Sequence, residues 1–239
     1  MRYEIEQDQD AQNPRVDFDN VGTMVCWHRN YDLGDKHTYS DSDDFRFQLA
    51  VDADPSVEDR CDYWNNSGYD RLMKNPLIKS HEDACRAAEE HQNKIINKAL
   101  EDNYIILPLY LYDHSGITMR TGPFGCAFDS GQVGFIYCSK ATAIKEWGKK
   151  LCTKQVIEKA IKYLEGEVET YDQYLTGDVW CYDIYNDDDE VVDSLCGCWG
   201  YDYCEEEAKT ALAYCEKEEA EKRRQSEIDA ITENEETLS

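Results

Sequence analysis

The sequence predicts an α+β fold: a mostly antiparallel sheet with about three helices packed on one face, together with acidic loops and an acidic tail. Two observations support this prediction. Strand-like segments occur in neighbouring pairs, and three helix-like segments lie between and after them. The regular alternation of strand and helix that a doubly wound parallel sheet requires is not sustained. We expect a flexible acidic arm over residues 1–19, a single α+β domain over 20–230 and a disordered tail over 231–239.

The strand-like segments are rich in β-branched and aromatic residues and are bounded by turn-forming residues. The first spans Val21 to His28, and another spans Tyr104 to Tyr112. Residues 29–79 are dominated by turn chemistry such as SDSDD and NNSG, so we expect an irregular segment in which the alternation FRFQLAV is compatible with a short strand. The segment ITMRTGPFGCAFDSG is expected to hold a short strand and a glycine-rich connection, and further strands are predicted at QVGFIYCSK, GDVWCYDIY and VVDSLCGCWGYDY.

Three segments have the properties of helices. The first follows Ser80, which can cap a helix whose first turn carries Glu82 and Asp83. Within residues 153–171, apolar side chains repeat every three or four positions and form the clearest stripe in the chain. The C-terminal segment CEEEAKTALAYCEKEEAEKRRQSEIDA favours a helix by propensity, although its apolar stripe fades after Cys215.

The charge of the chain is strongly acidic and uneven. Against 51 acidic residues there are 25 Lys and Arg, which gives a net charge of −26 and a pI near 4.4. The two ends, residues 1–63 and 167–239, hold all of this excess, because residues 64–166 are nearly neutral. Such a charge repels nucleic acid and anionic membranes and attracts basic surfaces. The ends form either two separate solvated surfaces or, if they lie side by side, one acidic face.

Location and cysteine use point to the same compartment. No apolar run approaches the roughly 18 residues of a membrane span, and the start MRYEIEQDQDAQ lacks the apolar core of a secretory signal. The 11 cysteines follow no framework spacing, so we expect free, mostly buried thiols in a reducing bacterial cytoplasm. We expect no cofactor.

The segment ILPLYLYDHSG places Asp113, His114 and Ser115 in a row. Successive residues of an extended chain point to opposite faces, and catalytic triads are assembled in space rather than along adjacent residues. We therefore interpret these residues as a strand end and a turn. Only His114 keeps a claim to catalysis, as a general base or metal ligand, and it would need His28 or His37 beside it.

Two patterns suggest metal ligands. His28, Asp35 and His37, with His114, are candidates for a divalent metal site, although their spacing matches no standard zinc pattern. Cys196 and Cys198 form a C-x-C pair, whereas zinc sites usually present C-x2-C pairs. On a regular strand these two cysteines share one face, so we interpret them as small core residues.

The acidic clusters are the predicted partner-binding residues, with two aromatic residues as interface anchors. They are Asp41, Asp43, Asp44, Asp187, Asp188, Asp189, Glu190, Trp199, Tyr201, Glu205, Glu206 and Glu207.

Four stretches together resemble an uncharacterised family of acidic proteins carried by bacteriophages and other bacterial mobile elements: NVGTMVCWHRNYDLGD, ILPLYLYDHSG, DSGQVGFIYCSK and YDQYLTGDVWCYDI. The resemblance spans roughly Val21 to Tyr203. It implies a phage-encoded protein acting in the cytoplasm of the bacterial host, and it implies no reaction.

These observations favour a binding protein that inhibits a host nucleic-acid-targeting defence system, such as a CRISPR effector or a restriction enzyme. Its acidic surface would mimic nucleic acid and occupy the basic groove of the partner, without direct contact to nucleic acid or membrane. Two alternatives are a metal-dependent hydrolase using His28, His37 and His114 with nearby aspartates, and a phage accessory protein that binds another phage protein. The sequence is also compatible with a homodimer.

Overall fold

The computed structural model describes residues 1–126 and 128–237. This part of the chain contains seven strands and eight helices. In chain order the elements are β1 (Arg2–Gln7), α1 (Pro14–Asp17), β2 (Thr23–Cys26), α2 (Ser42–Ala53), α3 (Ser56–Asn65), α4 (Ser67–Met73), α5 (His81–Asn103), β3 (Tyr104–Asp113), β4 (Ile117–Arg120), β5 (Ser130–Ser139), α6 (Lys140–Glu146), α7 (Lys154–Thr176), β6 (Val179–Tyr185), β7 (Val191–Trp199) and α8 (Tyr201–Thr237).

The predicted α+β class is confirmed, and every strand pair is antiparallel. The chain divides into two compact units. Unit 1 comprises Met1–Asp17 and Thr170–Ser239, and unit 2 comprises Phe18–Glu169. Each unit has its own sheet, with strand order β1-β6-β7 in unit 1 and β2-β5-β3-β4 in unit 2.

The helix count exceeds the predicted three because much of the segment 29–79, expected to be irregular, folds into α2, α3 and α4. The prediction of a strand at FRFQLAV is wrong. Asp41 caps α2 by accepting hydrogen bonds from two backbone N–H groups, and the buried Phe45 and Leu49 lie four residues apart on one helical face. Helical spacing therefore prevails over the alternating pattern that suggested a strand.

Helices cover both faces of the unit 2 sheet, which corrects the expectation that they pack on one face. On one face the ring of Phe45 lies 5.5 Å from that of Phe135 and 5.3 Å from that of Tyr137. On the opposite face, Ile136 of β5 and Leu164 of α7 both approach the position that a side chain on Gly22 would occupy. Glycine is required there because a Cβ would collide with Leu164.

In unit 1, the first half of α8 packs against one face of the three-stranded sheet. Cys204 and Ala208 of α8 are buried together with Tyr182, Ile184 and Cys198. Residues 2–7, placed by sequence in a flexible arm, form strand β1 along β6. Helix α8 extends to Thr237 through most of the expected tail, and positions 238 and 239 lie outside the described residues.

The three predicted helices and the strand Tyr104 to Tyr112 are confirmed. Ser80 caps α5 as predicted, since its side chain accepts a hydrogen bond from the Asp83 backbone N–H. None of the described helices combines the length and apolar character needed to cross a membrane.

Candidate functional site

Unit 1 concentrates the negative charge of the protein. It carries 26 acidic and 7 basic residues, a net charge of −19, whereas the larger unit 2 carries 25 and 18, a net charge of −7. The reason is topological: β1 from the acidic N-terminus pairs along its whole length with β6 from the acidic C-terminal segment. Residues 1–17 thus join the C-terminal acidic region, and the remaining acidic N-terminal residues belong to unit 2.

The unit 1 sheet carries a row of carboxylates on the face opposite α8. We call this the outer face, defined by Glu4, Glu6 and Asp183. Tyr3 and Ile5 point to the α8 side and pack there, so the alternation of β1 sends Glu4 and Glu6 outward. Glu4 lies directly opposite Asp183 in the strand register. Glu4 and Glu6 are exposed, and Asp183 is half-buried.

Arg2 provides a positive charge at one end of the outer face. Its guanidinium lies 3.1 Å from a Glu4 carboxylate oxygen and 2.6 Å from one of Asp189. It also lies 4.7 Å above the ring of Tyr185. One arginine shared between two carboxylates leaves most of the acidic row uncompensated.

The acidic turn between β6 and β7 is partly neutralised within unit 1. The Asp187 carboxylate accepts a 2.9 Å hydrogen bond from the amino group of Met1 and lies 3.8 Å from Arg223. The hydrogen bond to this amino group lowers the pKa of Asp187. Asp189 pairs with Arg2. Of the predicted binding residues in this turn, Asp187 and Asp189 therefore serve the fold.

Asn186 fixes the backbone of the other two acidic residues of this turn, Asp188 and Glu190. Its side-chain oxygen accepts hydrogen bonds from the backbone N–H groups of Asp188 and Glu190, at 3.0 and 2.9 Å. Asp188 and Glu190 are exposed. They remain accessible to a partner.

The start of α8 holds the remaining acidic candidates. Glu205 lies 2.8 Å from Lys209, and this hydrogen bond lowers the pKa of its carboxyl group. Glu207 raises the pKa of the neighbouring Tyr203. Glu206 is exposed and lies one helical turn from the exposed Asp202, a like-charge spacing that destabilises a helix slightly.

The two predicted aromatic anchors lie close to this helix start. Tyr201 is 44% exposed and packs edge-on against Trp180 at 5.1 Å. Trp199 is half-buried at the end of β7. Tyr201 is thus the better placed of the two to contact a partner.

The predicted residues Asp41, Asp43 and Asp44 belong to unit 2, whereas the other predicted binding residues belong to unit 1. Asp41 accepts hydrogen bonds from the Asp43 and Asp44 backbone N–H groups at 3.0 and 2.9 Å. Asp44 accepts one from the Ser40 backbone N–H at 2.9 Å, which lowers the pKa of Asp44. Two of these three residues therefore cap α2, and Asp43 projects into solvent beside Arg46.

Several polar side chains gather at one end of the unit 2 sheet. His28 stacks on Tyr31 at 5.0 Å, and the Tyr31 hydroxyl donates a 3.2 Å hydrogen bond to Asp113. His28, Asp113 and Asp129 line an open cavity of about 500 Å³. The predicted turn is confirmed, because β3 ends at Asp113 and the His114 backbone N–H donates to the Gly116 carbonyl.

Three metal candidates of the sequence analysis, His28, Asp35 and His37, line one open cavity of about 710 Å³, but their ligand atoms do not approach one another closely enough for one ion. Asp35 accepts a hydrogen bond from the Met24 backbone N–H at 2.8 Å, and a His37 ring nitrogen bonds to the Cys26 carbonyl at 2.9 Å. These contacts hold the loop after β2 against the strand. His114 lies 3.7 Å from Asp129 and is largely exposed. Within residues 1–126 and 128–237, three ligand atoms approach one another closely enough for one ion only at Asp8, Cys181 and Cys196.

The C-x-C pair does not lie on one face of β7, which corrects the sequence interpretation. Cys196 forms a disulfide with Cys181 of β6, whereas Cys198 is buried on the α8 side beside Cys204. The strand register shifts in this region and Gly197 has a φ of 75°, the marks of a β-bulge that inserts one extra residue. The other nine cysteines are free, five of them buried.

No protein-family model, curated protein or solved structure matches this chain.

Proposed function

We propose that the protein is a binding protein whose unit 1 inserts its acidic outer face into the basic groove of a nucleic-acid-binding protein and excludes the nucleic acid. One observation supports this most strongly: the two chain ends join in one sheet and bring a net charge of −19 into a single unit. Acidic surfaces of this kind attract Lys and Arg clusters and repel nucleic acid itself.

The outer face holds like charges whose repulsion is only partly offset by the ion pair of Arg2 with Glu4, and a basic partner would offset more of it. Glu4 and Asp183 lie opposite each other on paired strands, and like charges at this spacing are destabilising. A lysine or arginine from a partner, placed between them, would turn that repulsion into two attractive contacts. Pairing of these carboxylates with Lys and Arg of a partner would release the counterions around the acidic face, as pairing with phosphates does when a protein binds DNA, so binding should weaken as salt rises.

The neighbouring helix start can extend this surface. Asp202 and Glu206 add two exposed carboxylates, and Tyr201 adds an exposed ring. Aromatic side chains anchor interfaces because they bury a large area at a low entropic cost. The carboxylates would thus attract the basic partner, and the Tyr201 ring would pack against it.

The resemblance to proteins of phages and mobile elements narrows the partner class. Within that proposal, the protein acts in the cytoplasm of a bacterial host on a nucleic-acid-targeting defence enzyme, such as a CRISPR effector or a restriction enzyme. Both classes hold nucleic acid in basic channels that an acidic unit could occupy.

The experiment is a pull-down from bacterial lysate with the full-length protein at low and high salt, with duplex DNA as the competing eluent. The proposal predicts that basic nucleic-acid-binding proteins are retained at low salt, released at high salt and displaced by DNA. The purified captured protein should then lose DNA binding when the acidic protein is added. Retention that neither salt nor DNA affects, or an empty resin at low salt, would contradict it.

A further inference from the structure

Three side chains that can bind a metal converge at one place in unit 1. The sulfur atoms of Cys181 and Cys196 are bonded across β6 and β7, and their Cα atoms are 4.1 Å apart. The Asp8 carboxylate, just after β1, offers an oxygen within 4.8 Å of each sulfur. All three strands of the sheet therefore contribute to one cluster.

Backbone hydrogen bonds fix the position of Asp8. Its carboxylate accepts from the Gly197 N–H at 3.2 Å and from the Asp10 N–H at 3.0 Å. Its own N–H donates to the Val179 carbonyl at 2.8 Å. The carboxylate is thus held beside the cysteine pair by groups on both sides of it, and the cluster is preorganised.

The nearby Cys198 and Cys204 have a different environment. They are buried on the α8 side of the sheet, and burial raises the pKa of the Cys204 thiol to about 12. They are neutral thiols in an apolar core. Cys196, by contrast, is exposed, so reductants and metal ions can reach the Cys181–Cys196 pair.

We propose that Asp8, Cys181 and Cys196 form a redox-controlled site for one zinc-class divalent ion. A dithiol reductant would donate two electrons and two protons to the disulfide, which yields two thiols and the oxidised reductant. Binding of the ion would then release the two thiol protons and form two metal–thiolate bonds. A small-molecule disulfide would then accept two electrons from the two thiolates by thiol–disulfide exchange, which restores the S–S bond, expels the ion and reduces the small disulfide to two thiols.

The donor set determines the class of ion. Two thiolates and one carboxylate suit zinc, which accepts sulfur and oxygen ligands in a tetrahedral arrangement, whereas calcium and magnesium prefer all-oxygen sites. With Zn–S bonds of about 2.3 Å, the two sulfurs would lie about 3.8 Å apart. Side-chain rotation can provide that separation without moving the strands. The fourth position would stay open to water or to a ligand from outside.

The test uses the full-length protein, reduced with dithiothreitol, desalted without oxygen and titrated with cobalt(II). Cobalt occupies zinc sites, and its thiolate bonds give a charge-transfer absorption. We expect one equivalent of cobalt to produce this absorption and one equivalent of zinc to remove it. The oxidised protein should give none.

Variants separate this cluster from the other cysteines and acids. Cys181→Ser and Cys196→Ser should lose the absorption. Asp8→Asn should weaken cobalt binding by about tenfold or more, since even groups that only hydrogen-bond to ligands contribute that much. The matched controls Asp10→Asn and Cys215→Ser should bind as the wild type does.

Two results would overturn the site. One is a reduced wild-type protein with a native circular dichroism spectrum and no cobalt–thiolate absorption. The other is an absorption that persists in the Cys181→Ser/Cys196→Ser double variant. The comparison of oxidised with reduced wild type needs no substitution, so a variant that fails to fold does not weaken the test.

Discussion

The two units use acidic residues for different purposes. In unit 2, carboxylates bind the backbone of their own unit: Glu167 accepts hydrogen bonds from the Val21 and Gly22 N–H groups, and Asp41 caps α2. In unit 1, a few carboxylates hold the chain terminus, while Glu4 and Asp183 face each other across paired strands. Asp8 of unit 1 also accepts backbone hydrogen bonds, so the clearer difference between the units is that unit 1 carries the larger excess of acidic residues.

This difference predicts opposite responses to neutralisation. Removing a unit 2 carboxylate that accepts backbone hydrogen bonds, such as Glu167 or Asp41, should lower stability, because backbone donors lose their acceptors. Removing one from the outer face of unit 1 should leave stability unchanged or raise it, because repulsion is relieved. The following predictions test this contrast from the largest expected effect to the smallest.

The core of unit 2 should tolerate substitution least. Phe45 is fully buried between α2 and the sheet, against Phe135 and Tyr137. Phe45→Ala should lower the free energy of unfolding of unit 2 by about 3–5 kcal/mol, since it removes apolar contacts and leaves a cavity. Denaturant titration measures this. Leu77→Ala, at a position 82% exposed, is the control, and a loss below about 1 kcal/mol at Phe45 would refute the described core.

Glu167 should be the most important carboxylate of unit 2. Its Oε1 accepts hydrogen bonds of 2.7 and 3.1 Å from the Val21 and Gly22 N–H groups. Glu167→Ala should cost about 1.5–3 kcal/mol, because charged hydrogen bonds are lost and two part-buried donors lose their acceptor. The exposed Glu165→Ala is the matched control on the same helix. Equal denaturation midpoints for the two variants would show that Glu167 has no such role.

Alkaline pH should weaken unit 2 through Tyr137. Burial raises the pKa of Tyr137 from 10.0 to about 12, so the unfolded chain ionises first. The stabilising contribution is complete below pH 10 and is lost as pH rises through the folded value. After allowance for partial exposure it is on the order of 1–2 kcal/mol. Stability measured from pH 9 to pH 12 should fall less steeply in Tyr137→Phe, and parallel curves would contradict the assignment.

At the start of α2, Asp41 caps the helix, whereas Asp43, two residues later, is solvated. Asp41→Ala should cost about 1 kcal/mol, since two backbone N–H groups lose their acceptor. Asp43, whose side chain is 91% exposed, is the control, and Asp43→Ala should change stability by less than about 0.5 kcal/mol. A larger loss at Asp43 than at Asp41 would reverse the roles given to them.

The smallest effect, of opposite sign, is expected on the outer face of unit 1. Asp183→Asn removes the charge opposite Glu4 and should raise stability by a few tenths of a kcal/mol. Asp62→Asn, at an exposed position of unit 2, gives the baseline for a neutralised surface charge. Thermal unfolding of the two variants measures the difference, and a loss of about 1 kcal/mol or more at Asp183 would mean that the outer face is built for stability.

Much of the fold could be predicted from local sequence patterns. The capped, striped helix after Ser80 and the apolar strand after it were identified because periodicity and capping agree there. The three helices between Ser42 and Met73 were not predicted, because turn-forming residues dominate this segment. One of them, Asp41, caps α2, whereas α3 and α4 begin without a side-chain cap. The strand at residues 2–7 was not predicted, because a short acidic segment has few apolar residues of its own and is stabilised by its pairing with β6.

The candidate sites depend on register, which the sequence does not specify. Strand β7 contains one extra residue between the two positions that pair with Tyr185 and Ile184. This extra residue shifts the register by one and places Cys196 opposite Cys181. Simple counting from the turn would place Leu195 there instead. The acidic residues near Asp187 also look equivalent in sequence. In the fold, Asp187 accepts a hydrogen bond from the Met1 amino group, and Asp188 is exposed.

The central claim is that the outer face of unit 1 binds a basic partner by charge. Its most direct test is the salt dependence of affinity for the captured partner, measured for the wild type, for Glu4→Gln/Glu6→Gln/Asp183→Asn, and for the equally neutralised unit 2 variant Glu58→Gln/Asp59→Asn/Asp62→Asn. We expect steep salt dependence for the wild type and the unit 2 variant, with weaker binding and a shallower slope for the outer-face variant. Equal affinity and equal slope for all three proteins would contradict the claim.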